Sequence, residues 1–513
     1  MEAMGAEDLR EAVREILVEL DDRAHARVVN SLIGRAARGD SGWAPATVRD
    51  QDVAEVLSFV RAARRVGYAD PSDVDEYLHR GVAAFLGKHY AAAKKIFGAL
   101  LPPIADADID LGQHELVDEV LGVDAAECVA QYLVATYMTA HPEERAGAVR
   151  TAIDEMGDVT YFFEPIQRME AAALEPLPGL DDFLGTWRAL VAQEARGGRR
   201  GSWDGGADKW LREVVQRVEG AEGLAKLARS SGRVEDLRAW CDALVDARSW
   251  KTALPAFEEA ASIAADNTSA RGEFLDGAAL AAQELGRKNL SPWFERAWRG
   301  TPSMLRLRRW LGSAGSKAVL RKRVREALKA CPKRAYRQRA FLLVLDNEFE
   351  SAAELLSAVP GLGWSDPEHP GHVLFPLFRH LLEGDEGSSK SLAVLAGYAD
   401  ADAIELLTTL PDAPRIASAR IADIVHKAGL EPIGDRGVRS VVLAAMRAAA
   451  EKRIAGVTEH KRRRHYGHAA SLVAACLACD PSPDARSWVS DIRARHRRFT
   501  ALRAELDRHL GTR

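Results

Sequence analysis

One spacing recurs along this chain and narrows what it can fold into. Tyr77, Arg80, Gly81 and Ala84 are followed by Tyr90, Ala93 and Phe97, and Leu237, Trp240, Cys241 and Leu244 are followed at the same intervals by Trp250, Ala253 and Phe257. A third copy runs Tyr336, Arg339, Ala340, Leu343, then Phe349, Ala352, Leu356, and closes at Pro360; Tyr466, Ala469 and Val473 reproduce the second half once more. In all four an aromatic residue stands three positions before an Ala. Apolar residues three and four apart share one helix face, so each full copy predicts two short helices joined by a tight turn. Gly81, Cys241 and Ala340 are then expected to meet Ala93, Ala253 and Ala352, twelve residues on, where small side chains let two helices cross closely. Alternating β-branched and aromatic runs bounded by Asn-Gly or Asp-Gly turns are essentially missing. The expected fold class is all-α: stacked helical hairpins, an α-solenoid, in two or more helical units.

The aromatic, the small residue, Ala-x3-Phe and the terminal Pro resemble the tetratricopeptide repeat, most closely in Tyr77, Gly81, Ala93 and Phe97. Three copies and one half copy carry the resemblance. Arg80 and Arg339 stand where that repeat prefers Leu, and Pro102 comes earlier than its Pro. A second resemblance covers roughly residues 208 to 513, through GLAKLARSSGRVEDLRAWCDALVDARSW, WSDPEHPGHVLFPLFRHLL and HKRRRHYGHAASLVAACLACDPSPDARSWVSDIRARHRRF. These segments look like the C-terminal helical region of bacterial SWIM zinc-finger proteins. The zinc module of those proteins needs Cys-x-Cys followed by Cys-x-His, which this chain lacks, so the resemblance implies no nucleic-acid role through it.

A length of 513 residues exceeds the roughly 100–200 of one domain, so several units are expected. Glycine and proline place the boundaries: an N-terminal helical domain over 1–194 with one hairpin, a Gly-rich linker over 195–208, a helical repeat array over 209–360, and a C-terminal helical repeat domain over 361–513. Further interruptions fall at Pro360 to Gly371, with Pro367 and Pro370, and around Pro411 to Asp435. With 47% hydrophobic residues, 28% charged residues and a formal net charge of −5, the chain reads as an ordinary folded protein, not a tail or a fibre. It has no apolar run of about 18 residues, and its start, MEAMGAEDLREAVREILVELDD, reads as an acidic amphipathic helix without signal-peptide features. Five scattered cysteines, Cys128, Cys241, Cys331, Cys476 and Cys479, predict core thiols in a reducing, cytoplasmic setting.

Charge is unevenly spread. Between Leu305 and Arg339 thirteen Lys or Arg face one Glu. Arg308, Arg309, Arg321, Lys322, Arg323 and Arg325 are the candidate partner-binding residues, toward phosphates or an acidic protein surface, with Trp310 or Tyr336 available to stack on a base. The plain alternative is that these stems coat helix faces and pair with acids on neighbouring repeats. Ile104 to Glu127 holds eight acids and no Lys or Arg, and Asp106, Asp108 and Asp110 copy the opening of a calcium loop. Leu111 and Val117 stand where that loop needs Gly and Glu, so an acidic connector that caps helix N-termini is expected instead.

Other chemistry finds little support. His465, His468, Cys476 and Cys479 have metal-ligand spacing, but eleven helical steps span about 16 Å, too far for one zinc ion. GSAGSK at Gly312 to Lys317 lacks the spacer of a phosphate-binding loop and reads as a turn between helices. His369 and His372 flank a proline-rich loop without matched carboxylates. Cys331, followed by Pro332, Lys333 and Arg334, is the one thiol whose neighbours favour a thiolate. No catalytic residue, metal or cofactor is assigned. The sequence therefore points to a non-enzymatic scaffold or adaptor holding a protein or peptide partner in a helical-repeat groove, with no membrane partner. A nucleic-acid-associated subunit using residues 305–339 is one alternative, and a regulatory target cleaved by a partner protease at the Gly-rich joint is another.

Overall fold

The computed structural model describes residues 5–20, 48–112, 120–157, 164–197, 205–366, 368–383 and 414–511, with isolated positions between 24 and 36. Gly198, Gly201, Pro367, Pro411, Glu115, Val117, Asp118 and Glu119 lie outside them. Among the described residues every extended element is a helix, and the one β feature is an isolated bridge between Tyr68 and Asp110. The protein is all-α. Its chain divides into two compact units, one of Met1–Ser231 with Glu235–Ala243 and one of Gly232–Val234 with Leu244–Arg513.

The first unit holds α1 (Ala6–Glu19), α2 (Asp50–Val66), α3 (Pro71–Leu86), α4 (Tyr90–Ala105), α5 (Ala125–Thr139), α6 (Arg145–Glu155), α7 (Pro165–Ala172), α8 (Leu180–Gly197) and α9 (Gly206–Ser231). Every residue of α5 from Cys128 to Tyr137 is buried. A helix that is covered on all sides belongs at the centre, and α5 packs against α3, α4, α6 and α7. Asp124 caps it, accepting from the Glu127 N–H. Of the other described acids of the acidic connector, Asp108 pairs with Arg64 on α2 at 2.6 Å, and Asp110 accepts from Gly112 N–H. The predicted Gly-rich joint does not separate the units, because α8 and α9, which flank it, pack together with Trp187 and Trp210 6.1 Å apart. The division falls instead within α10 (Val234–Asp246).

The second unit continues with α11 (Trp250–Ile263), α12 (Thr268–Glu284), α13 (Ser291–Gly300), α14 (Met304–Gly312), α15 (Lys317–Ala330), α16 (Tyr336–Leu345), α17 (Phe349–Ala358) and α18 (Gly371–Glu383). After the gap come α19 (Ile421–Ala428), α20 (Arg436–Glu459), α21 (Tyr466–Cys479), α22 (Pro483–Arg495) and α23 (Thr500–Leu510). One apolar core runs from Ala279 to Leu506. Within it α17 packs on α20, α18 on α21, and α21 on α20 and α23.

The three full sequence copies share one turn. Lys88 (φ 60°), Arg248 (φ 49°) and Asn347 (φ 65°) take left-handed backbone two positions before Tyr90, Trp250 and Phe349, where the second helix begins. The Lys88, Arg248 and Asn347 N–H groups donate to the carbonyls of Phe85, Val245 and Val344, and those of His89, Ser249 and Glu348 donate to Ala84, Leu244 and Leu343. This is the Schellman closure, with an L-residue where glycine is usual. The half copy keeps the closure at Lys461 (φ 52°) but inserts the short 3-10 turn Arg463–His465 before Tyr466. In the first hairpin the space over Gly81 is taken by Phe97 and Ile96: a Cβ there would lie 2.7 Å from Phe97 Cε1. The small residue thus admits an aromatic ring, and Ala93, expected at this crossing, is fully buried.

An L-residue in the left-handed region carries a steric cost that glycine escapes. Lys88→Gly is therefore expected to raise stability in urea unfolding by about 0.5–1 kcal/mol, and Lys88→Val to lower it by at least about 1 kcal/mol.

Candidate functional site

Helix geometry sorts the basic segment into an inner and an outer set. On α14, Ser303 caps the helix by accepting from Arg306 N–H, and Leu305, Leu307, Trp310 and Leu311 are all buried. The arginines between them are drawn inward. Arg306 Nε and Nη2 donate to Asp276 Oδ2 at 2.8 and 2.7 Å, and Arg309 Nη1 donates to Asp276 Oδ1 at 3.2 Å. Arg309 Nε also reaches Ser418 Oγ at 2.9 Å. Arg308, 3% exposed, donates from Nη1 to the Ala419 carbonyl at 3.2 Å. Arg323 on α15 turns back to the Trp310 carbonyl and Ser313 Oγ, and burial lowers its pKa. Arg308 and Arg309, singled out in the sequence as partner contacts, are thus held inside by neighbouring polar groups, and Arg323 is half-buried against the end of α14. Trp310 is not a stacking platform either: it is fully buried with its ring 5.2 Å from that of Trp298. Tyr336 is 43% exposed.

The outer set stands on α15. Leu320, Val324 and Ala327, at i, i+4 and i+7, bury one face, so the opposite face is left to Lys317, Arg321, Lys322, Arg325 and Lys329, all exposed. Four of these are four residues apart and form one stripe about 18 Å long. Their acidic neighbours are few: Glu326 lies 3.9 Å from Lys322, and Asp346 3.2 Å from Arg325. The stripe begins at the turn Gly312 to Lys317, where Ser316 caps α15 by accepting from Val319 N–H and Lys427 donates to the carbonyls of Gly312 and Ala314. That turn is an interhelical link, as its sequence suggested.

A second cluster, whose histidines the sequence offered only as separate weak signals, gathers where the 359–370 connection meets α18 and α21. The Trp364 ring stacks on His369 at 4.2 Å, with the His468 ring 4.9 Å and the His372 ring 5.7 Å from it. His369 Nδ1 accepts from Gly371 N–H at 3.1 Å. Burial, together with His372, Arg453 and His468, pushes His369 down to about 4 against the opposing pull of Asp366. The spacing of His369 and His372 in PEHPGH is the signal that was there to find; Trp364, Arg453 and His468 are brought in only by folding.

Among the described residues no three His, Cys, Asp or Glu side chains converge as metal ligands. Cys476 and Cys479 are core thiols, and burial raises both pKa values, Cys479 to about 12. Cys331 is corrected as a candidate nucleophile: burial outweighs Arg339 beside it and raises the thiol to about 11. No protein-family model matches the chain, and no curated protein matches it.

Two expectations separate these roles. Asp276→Asn strands the buried Arg306 guanidinium and is expected to cost roughly 3–5 kcal/mol in chemical unfolding, whereas Arg321→Gln on the open face changes stability by less than about 0.5 kcal/mol. For His369 the folded value lies below that of the unfolded chain, so between pH 6.5 and about 4 the unfolded state takes up the proton first. Stability is expected to fall by roughly 2–4 kcal/mol over that window, and His369→Asn to flatten this part of the urea-unfolding pH profile.

Proposed function

We propose that this protein is a non-enzymatic scaffold of tetratricopeptide-like hairpins that docks an acidic segment of a partner protein on the exposed face of α15. The observation that carries this reading is the stripe of Lys317, Arg321, Arg325 and Lys329, with Lys322 beside it, all exposed on one helix. Like charges four residues apart repel and weaken a helix by a few tenths of a kcal/mol per pair. A row of them on a helix already anchored by Leu320, Val324 and Ala327 makes sense as a surface for a line of carboxylates, which relieves that repulsion on binding. An acidic protein is favoured over a single-stranded nucleic acid because the stripe holds no aromatic residue and Trp310 is sealed in the core. The shared closure at Lys88, Arg248 and Asn347 supports stacking of the hairpins as repeats. Five buried cysteines, none in a disulfide, accord with work in a reducing, cytoplasmic compartment.

The test is fluorescence anisotropy with a labelled Glu-rich peptide, a single-stranded RNA and a DNA duplex, each at low and high salt. The wild type is expected to bind the peptide and to release it as salt rises, and Arg321→Glu, Lys322→Glu, Arg325→Glu and Lys329→Glu combined to weaken it at least about tenfold with helicity unchanged by circular dichroism. Tighter binding of RNA or DNA, or peptide binding untouched by the four reversals, overturns the proposal.

A further inference from the structure

The connection after α17 is pressed onto α20 so closely that a side chain at Gly361 would collide with the Lys452 carbonyl. This contact encloses Arg453, which is 4% exposed and donates from Nη1 to the Gly361 carbonyl at 3.2 Å. Its Nε is buried and finds no acceptor among the described residues. Among the described residues the charged group that acts on it is another cation, Arg462. A buried guanidinium in that state is costly, because its charge is withdrawn from bulk solvent and is matched by no carboxylate among the described residues.

His369, 3% exposed, adds a second orphan donor. Its Nδ1 accepts the Gly371 N–H, so the proton of the neutral ring sits on Nε2, and Nε2 is buried without an acceptor among the described residues. Both groups ask for the same thing, an acceptor, and Arg453 asks for a negative one. A water molecule satisfies a donor but leaves the charge uncompensated. On the solvent side stand His468 and the loop of Arg462, Arg463 and Arg464, all exposed. Asp366 is the carboxylate that acts on His369, while Arg464 Nε donates to His465 Nε2 at 3.2 Å and Arg462, Arg463 and Arg464 give this edge its positive charge. It is also the stretch by which the half copy exceeds the other hairpins.

We propose that Arg453 and His369 form the floor of a binding site for a small tetrahedral oxyanion, a phosphate or phosphate monoester, which enters past His468 and Arg462. The guanidinium supplies charge and N–H donors, and neutral His369 donates from Nε2. This site is separate from the α15 stripe and does not depend on the scaffold reading.

The experiment is thermal unfolding of the full chain titrated with inorganic phosphate, phenyl phosphate, acetate and chloride at matched ionic strength. The two phosphates are expected to raise the Tm saturably, with Kd below about 1 mM, and acetate and chloride not to do so. Arg453→Met removes an unpaired buried charge, so it is expected to be more stable than wild type in chloride and to lose the phosphate response. Arg462→Gln, on the exposed loop, weakens phosphate at least about threefold without changing the Tm in chloride, and the four α15 reversals leave the response intact. A response that fails to saturate by about 50 mM, as bulk salt effects do, that acetate reproduces, or that survives both Arg453→Met and Arg462→Gln overturns the site.

Discussion

Linking one helix to the next through three residues turns the chain at a single left-handed step, and each full sequence copy in this protein is organised around that step. Lys88, Arg248 and Asn347 hold it with the same pair of carbonyl acceptors on the preceding helix. The closure fixes where the second helix starts, and so which of its residues face the first. Phe97 comes to lie over Gly81 for this reason, and Ala340 and Ala352 come to be wholly buried. Packing then selects small residues at the crossing and large ones beside it.

Electrostatics in the second unit follows from the same geometry. On α14 the arginines alternate with Leu305, Leu307, Trp310 and Leu311 in a helix buried nearly all round, so their guanidinium groups must find acceptors indoors, and Asp276, Ser418 and the Ala419 carbonyl provide them. On α15 only one face is buried, and the cations of the other are left to solvent. A single run of positive charge thus becomes half framework and half open surface.

How much of this was legible depended on the range of the interaction. Hairpins at Tyr77–Phe97 and Tyr336–Leu356 could be read because the spacing is local and their helix starts follow from it. The burial of Cys476 and Cys479 could be read from the apolar face they share with Leu472. The pairing of Arg309 with Asp276 is the plain alternative the sequence offered, but the inward turn of Arg308 could not be read, since its acceptor at Ala419 is more than a hundred residues away. Arg453 escaped notice for the same reason, and His369, seen with His372 in a proline-rich loop, was set aside because its partners come from other segments. The Gly-rich stretch misled because flexible composition marks a possible joint, while the pairing of Trp187 with Trp210 keeps both sides in one unit.

The cysteines of the two units carry a practical consequence. Cys128 and Cys241 lie in the first, and Cys331, Cys476 and Cys479 in the second, all outside any disulfide and all withdrawn from solvent. An alkylating reagent has no ready target on the native molecule, so each adduct it leaves marks a moment when that part of the chain came open. The protein thereby carries an internal clock for each unit, readable by peptide mapping without any added label.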